Sequence, residues 1–181
     1  MTTWNVDPSH AQIQFSAKHM GIFTVRGQFE TFDINFNYDP AQPENAEVDV
    51  KIDASSINTR NAQRDGHLTS ADFLNAEEYP YIRFASNRVE LVNESTAQLL
   101  GELTIRDITR EVALDVELTG QATSPWGTTS TGFIAKGTIN RTEWGLTWNQ
   151  VLETGGVLVG EEIGLSIELE AIQQAASEAV A

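Results

Sequence analysis

The stretch Glu47-Val48-Asp49-Val50-Lys51-Ile52-Asp53 alternates strictly between charged and branched apolar residues, and that period constrains the fold more than any other feature of the chain. Successive side chains of a strand point to opposite faces, so this segment has one oily face and one charged face. A helix would scatter the same residues around its axis. The pattern recurs in Ile13, Phe15 and Ala17, in Leu99, Gly101, Leu103 and Ile105, and in Val112, Leu114, Val116 and Leu118. It returns in Phe133, Ala135, Gly137 and Ile139 and in Ile163, Leu165, Ile167 and Leu169, each with polar residues between.

A second long run changes phase partway: Val25, Gly27 and Phe29 share one parity, and Phe32, Ile34, Phe36 and Tyr38 share the other. The switch predicts a bulge or bend near Glu30-Thr31, as strands curving around a barrel require. Asp39-Pro40-Ala41-Gln42-Pro43 reads as a turn, since two prolines remove ladder donors. Ile82 and Phe84, counted with Val89 and Leu91 as one meandering segment, bring the total to eight strands. Eight antiparallel strands close into a barrel just wide enough to fill with side chains or to hold one small ligand. The expected class is therefore all-β, an eight-stranded antiparallel barrel with one short helical insert.

The 181 residues are 40% hydrophobic with no break in composition, which suits a single domain. We assign that domain to residues 1–172 and treat 173–181 as a flexible tail of small and polar residues. A net charge of −15 opposes binding to phosphate backbones and anionic lipid surfaces, so nucleic acid is not an expected partner. The absence of cysteine excludes disulfides, thiolate metal ligands and a cysteine nucleophile. No 18-residue apolar run and no N-terminal basic and apolar leader pattern occurs in this sequence, so stable membrane insertion is not expected and a cytoplasmic location is the simplest expectation.

The polar insert from about Thr59 to Glu78 concentrates groups able to handle a ligand. In a helical reading Arg60 and Arg64, at i and i+4, share a face suited to an anionic head group, although local pairing with Asp65 or another acid explains them equally well. Asp65 could orient His67. Of the three histidines, His10 and His19 are separated by about 30 Å of extended strand and differ in parity, so a shared metal site is not expected. No metal or other cofactor is assigned. No nucleophile elbow or phosphate-cradling loop is present, and the Trp144-Gly145-Leu146-Thr147-Trp148-Asn149 segment reads as a plug or a rim. Gly101, Ala135 and Gly137 on the inward phase are consistent either with room inside or with a tapering barrel.

Four segments in order resemble the YceI-like family. They are Trp4-x-x-Asp7-x-x-His10 with Phe15 and His19, and Arg64-Asp65-Gly66-His67-Leu68-x-Ser70-x-Asp72-Phe73 closing at Tyr79-Pro80-x-Ile82-x-Phe84. Gly101-x-Leu103-Thr104-Ile105 and Asn140-Arg141-x-x-Trp144-Gly145-Leu146 complete the set. The chain departs from the family at Asp107-Ile108-Thr109, where Gly-Val-Thr is usual. The resemblance implies an extended, lipocalin-like barrel that binds a long-chain isoprenoid lipid in an interior tunnel, without catalysis, and a homodimer.

On that basis the expected tunnel lining is Ile13, Phe15, Phe29, Val48, Val50, Ile52, Phe84, Leu103, Ile105, Leu114, Phe133, Ile163, Leu165 and Ile167. The expected head-group contacts near one mouth are His19, Arg60, Arg64, His67 and Asn149. The ligand would be an isoprenoid quinone or a polyprenyl lipid, bound for storage or transport. Two other readings are an enzyme acting on such an amphiphile through Asp65 and His67, and a ligand-free, stress-related interaction module with a filled barrel.

Overall fold

The computed structural model describes residues 4–174. Ten antiparallel strands form one curled, barrel-like sheet: β1 (Trp4–His19), β2 (Phe23–Phe29), β3 (Phe32–Asn37), β4 (Glu47–Asp53), β5 (Ile57–Asn58), β6 (Tyr81–Leu91), β7 (Thr96–Ile105), β8 (Ile108–Thr123), β9 (Thr129–Asn140) and β10 (Val159–Gln173). One helix, α1 (Ala62–Thr69), follows β5. The hydrogen-bonded order is β3-β4-β6-β7-β8-β9-β10-β1-β2-β5.

The count is ten rather than eight for two reasons. The bend expected at Glu30-Thr31 separates β2 from β3, and β5 is a two-residue strand too short to leave a periodic signal. β2 pairs with β1 and β5, whereas β3 pairs with β4. The two ends of the strand order therefore meet at this corner. There Glu30 N donates to Ser56 O over 3.2 Å, Asp53 N to Thr31 O over 2.9 Å, and Thr31 N to Ser56 Oγ over 3.1 Å.

β1 is irregular where Pro8 cannot donate to a ladder. Its register against β10 jumps between Val6 and Ala11, so that Asp7 to His10 bulge outward opposite Glu170. Asp7 Oδ1 accepts from Ser9 N and Ser9 Oγ at 2.9 and 2.7 Å, a local turn that fixes the bulge. At the other end of the same strand pair, β10 continues to Gln173, which lies opposite Trp4. Gln173 thus belongs to the sheet, and residues 175–181 of the expected tail lie outside the described residues.

α1 is shorter than the polar insert. Asn61 caps it, accepting from Arg64 N at 3.0 Å, and Ser70 ends it. The chain then turns through Phe73 and Leu74, both buried, and Pro80 returns it to the sheet. The buried cluster runs from Ile13 and Ile52 through Phe84, Leu103 and Leu114 to Trp144 and Leu146. Among the described residues no helix is long and apolar enough to cross a membrane.

Candidate ligand-binding cavity

The inward faces of the strands enclose a cavity of about 810 Å³. That is near the upper end of the roughly 300–1,000 Å³ typical of small-molecule sites. Its wall is hydrocarbon almost throughout. All fourteen apolar residues expected to line a tunnel lie on it, from Ile13 and Phe15 of β1 to Ile163, Leu165 and Ile167 of β10. Ile34 and Phe36 of β3, Val89 of β6, Val112 and Val116 of β8, Ile139 of β9 and Leu169 of β10 join them. Their alternating phase was legible in the sequence.

The two ends of the cavity differ. At one end the lining residues are exposed: Pro40 between β3 and β4, and Leu91, Val92, Asn93, Glu94 and Ser95 at the β6–β7 hairpin. This is the mouth. An aromatic group stands just inside it, with Phe36 stacked on Tyr38 at 5.5 Å and Phe133 edge-on to both at 5.4 and 5.2 Å. Burial, with a smaller contribution from Asp39, raises the Tyr38 hydroxyl above the usual tyrosine range.

At the other end Phe73, Leu74, Arg141 and Leu146 are buried, and the segment after β9 plugs the barrel. The plug is anchored by Trp144, whose Nε1 donates to Leu103 O over 3.0 Å. Arg141 lies beneath it, 3% exposed. Its Nε donates to Gly160 O, its Nη1 to Leu146 O and Trp148 O, and its Nη2 to Val159 O. Among the described residues no carboxylate reaches ion-pair distance of it. Burial accordingly lowers its pKa, and Glu161 opposes this only from longer range. The sequence marked Arg141 within a motif but gave no sign of this role, because its partners are backbone carbonyls, which leave no side-chain signature.

The five polar candidates do not lie on the cavity wall. His19 is exposed where β1 ends, between Phe23 and Val159. Arg60 is exposed and precedes α1 with φ 64°, so it shares no helix face with Arg64. Arg64 folds back to donate from Nε to Thr59 Oγ1 at 2.8 Å and from Nη2 to Thr59 O at 2.7 Å. Asn149 spans Val159, donating to its carbonyl at 2.7 Å and accepting from its N–H at 3.0 Å. His67 Nε2 sits 2.9 Å from Asp72 Oδ2, with Phe73 and Trp148 edge-on to its ring. Asp65 does not orient His67, because its Oδ1 accepts from Thr59 N and Thr59 Oγ1.

The inward glycines give close approach rather than room. A Cβ at Gly101 would stand 2.5 Å from both Ala85 O and the Phe84 ring, and one at Gly137 would stand 2.7 Å from Leu114 Cδ2. Outside the cavity, the β1 bulge brings one ligand atom each of Asp7, His10 and Glu170 within 4.8 Å of one another. His10 Nδ1 already pairs with Asp7 Oδ2 at 2.8 Å. Hydrogen bonds from Ser9 and His10 hold the Asp7 carboxyl down at about 2, and the same Asp7 contact raises His10.

Comparison with known proteins agrees with this geometry. UPF0312 proteins of Staphylococcus aureus and Staphylococcus epidermidis are 37% and 39% identical to the chain over 171 residues, covering 94% of it and 97% of each relative. A YceI protein of Campylobacter jejuni superposes with a TM-score of 0.76 at 32% identity, over 87% of this chain and 90% of that one. Burkholderia cenocepacia BcnA superposes with a TM-score of 0.80 at 19% identity, over 92% and 99%, and shares the fold. So does a polyisoprenoid binding domain from Saccharophagus degradans, with a TM-score of 0.64 at 12% identity over 94% and 98%. The family model for the YceI-like domain matches residues 4–171, and the chain belongs to that family.

Proposed function

We propose that the protein binds a long-chain polyisoprenoid lipid, an isoprenoid quinone or a polyprenyl lipid, in its cavity and stores or carries it without chemical change. The observation that carries this reading is the wall itself: an 810 Å³ space lined by aliphatic and aromatic side chains and open at one end. Each methylene moved from water into such a wall contributes about 0.8 kcal/mol, so a chain of several isoprene units binds tightly with few polar contacts. Fold analogy supports the same ligand class, since a neighbour of the same architecture is a polyisoprenoid binding domain. Asp65 pairs with Thr59 and His67 with Asp72, which favours the binding reading over one built on an Asp65–His67 couple.

In this reading the fourteen apolar residues are ligand contacts, and the carrier works in the cytoplasm. The test is native mass spectrometry of protein purified from its own host, followed by organic extraction of any bound molecule. A stoichiometric prenyl lipid is the expected result, and the same spectrum reads whether the protein is the homodimer that family resemblance implies. A protein that emerges empty and ignores added polyisoprenoids would refute the proposal.

A further inference from the structure

The β8–β9 hairpin holds the longest stretch of the chain without a charged side chain. From Leu118 to Ala135 there is not one Asp, Glu, Lys or Arg, in a protein that is 20% charged with a net charge of −15. It also stands clear of the mouth. β7 ends its pairing with β8 at Thr96 opposite Glu117, while β8 continues to Thr123 opposite Thr129. At about 3.3 Å per residue, the arm extends roughly 16 Å past the β6–β7 hairpin that forms one side of the mouth. Trp126 at its tip is 89% exposed, and Leu91 and Val92 on the mouth hairpin are 50% and 71% exposed.

The N–H groups of the tip are met within it. Ser124 N donates to Thr128 O and Gly127 N to Ser124 O, while Trp126 N and Thr128 N both donate to Ser124 Oγ. Pro125 has no N–H to satisfy. Every N–H of the turn from Ser124 to Thr128 is thus bonded within the turn. A turn of this kind enters the interfacial zone without the penalty of unpaired N–H groups, and the carbonyls of Pro125, Trp126 and Gly127 can keep water there. Its only large side chain is an indole, which favours the boundary between lipid headgroups and acyl chains.

We infer that this arm docks the protein on a lipid bilayer of zero net charge, with Trp126 at the interface, so that the cavity mouth exchanges its ligand with the membrane. The inference rests on the lipid-carrying reading above. The commitment to an uncharged surface follows from the rim, where Asp39, Glu44, Glu47 and Glu94 would be repelled by anionic lipid. The arm is where an acidic protein can approach a bilayer without bringing its own anions into contact.

The experiment follows uptake of a fluorescent polyprenyl probe by the full chain from two sources: phosphatidylcholine vesicles and dilution from ethanol. Trp126→Ser and Thr128→Glu change exposed tip residues remote from the cavity wall. Trp126→Ser is expected to slow uptake from vesicles on the order of tenfold, the scale set by burying one large apolar side chain, Thr128→Glu to slow it through the charge it brings to the interface, and both to leave uptake from ethanol unchanged. Vesicle flotation should fall in parallel. Unchanged vesicle uptake in both variants overturns the docking while leaving the carrier reading intact. A wild-type protein that takes the probe from neither source overturns both. If Trp126→Ser instead dissociates a dimer and leaves flotation unaltered, the arm is a contact between copies of this chain, and the inference fails.

Discussion

Replacing Arg141 with methionine removes four N–H donations from the closed end of the cavity and leaves a side chain of similar length. Val159 O keeps a donor in Asn149 Nδ2, whereas Gly160, Leu146 and Trp148 lose the guanidinium. A buried acceptor left without a partner costs about 1–3 kcal/mol, and since the Gly160 and Trp148 carbonyls are only part-buried and recover some of this through water, the gross loss is about 3 to 6 kcal/mol. Removal of a buried, unpaired cation returns part of this, since its desolvation was unfavourable in the native protein. The net expectation is a loss of about 3 kcal/mol, or roughly 6–12 °C in melting temperature at the 2–4 °C per kcal/mol of a chain this size. Delipidated protein is the proper sample, so that ligand stabilisation does not enter. Thermal unfolding followed by near-ultraviolet circular dichroism reports on the packing of the four tryptophans, two of which, Trp144 and Trp148, belong to the plug. Arg141→Lys should recover part of the loss, having three donors on one point instead of a planar fork. If Arg141→Met melts within about 2 °C of wild type, a change of at most about 1 kcal/mol, the guanidinium does not hold the plug and the reasoning fails.

Gly101→Ala should destabilise by about 1–3 kcal/mol, measured by urea unfolding, because its Cβ meets the fixed Ala85 carbonyl as well as the Phe84 ring. Ala135→Phe projects a ring into the cavity from β9 and should abolish retention of a prenyl lipid while the protein still unfolds cooperatively; full retention would place the ligand elsewhere. His10 should titrate above 6.5 by nuclear magnetic resonance and return toward that value in Asp7→Asn, since the Asp7 contact is the main cause of its shift. The signs are opposite for the two partners: the His10 contribution is present below about 6.5 and is lost as pH rises through its raised value. The Asp7 contribution is present above the ordinary 3.8 and is lost as pH falls toward about 2.

Strand identity was legible wherever one face is oily and the other charged. Val48, Val50 and Ile52 on β4 and Ile163, Leu165 and Ile167 on β10 announced both their strands and their inward direction, and the phase change at Glu30-Thr31 announced the bend. β5 was not legible, since two residues that pair only with Gln28 and Phe29 carry no period. Arg60 and Arg64 were misplaced because helical spacing was assumed across a residue with positive φ, where no helix continues. The inward glycines left their question open for a different reason. Pattern shows that a side chain is missing, but only the packing shows that Phe84 and Leu114 already occupy the space. The convergence of His10 and Glu170, 160 positions apart, depended on the Pro8 bulge, whose size no local rule sets.

The corner between β2 and β3 has a mechanical meaning. Elsewhere the wall of the barrel is a continuous ladder of paired strands, but here it is joined by a bend in one strand and a few lateral hydrogen bonds from Glu30, Thr31 and Asp53. This seam is the part of the circumference that can part without breaking a full strand pairing. If the cavity carries lipid as proposed, this seam is the line along which its girth can adjust to the bulk of the ligand. The amides of Glu30 and Asp53 should exchange with solvent faster than those of β9 and β10, and slow when the barrel is full.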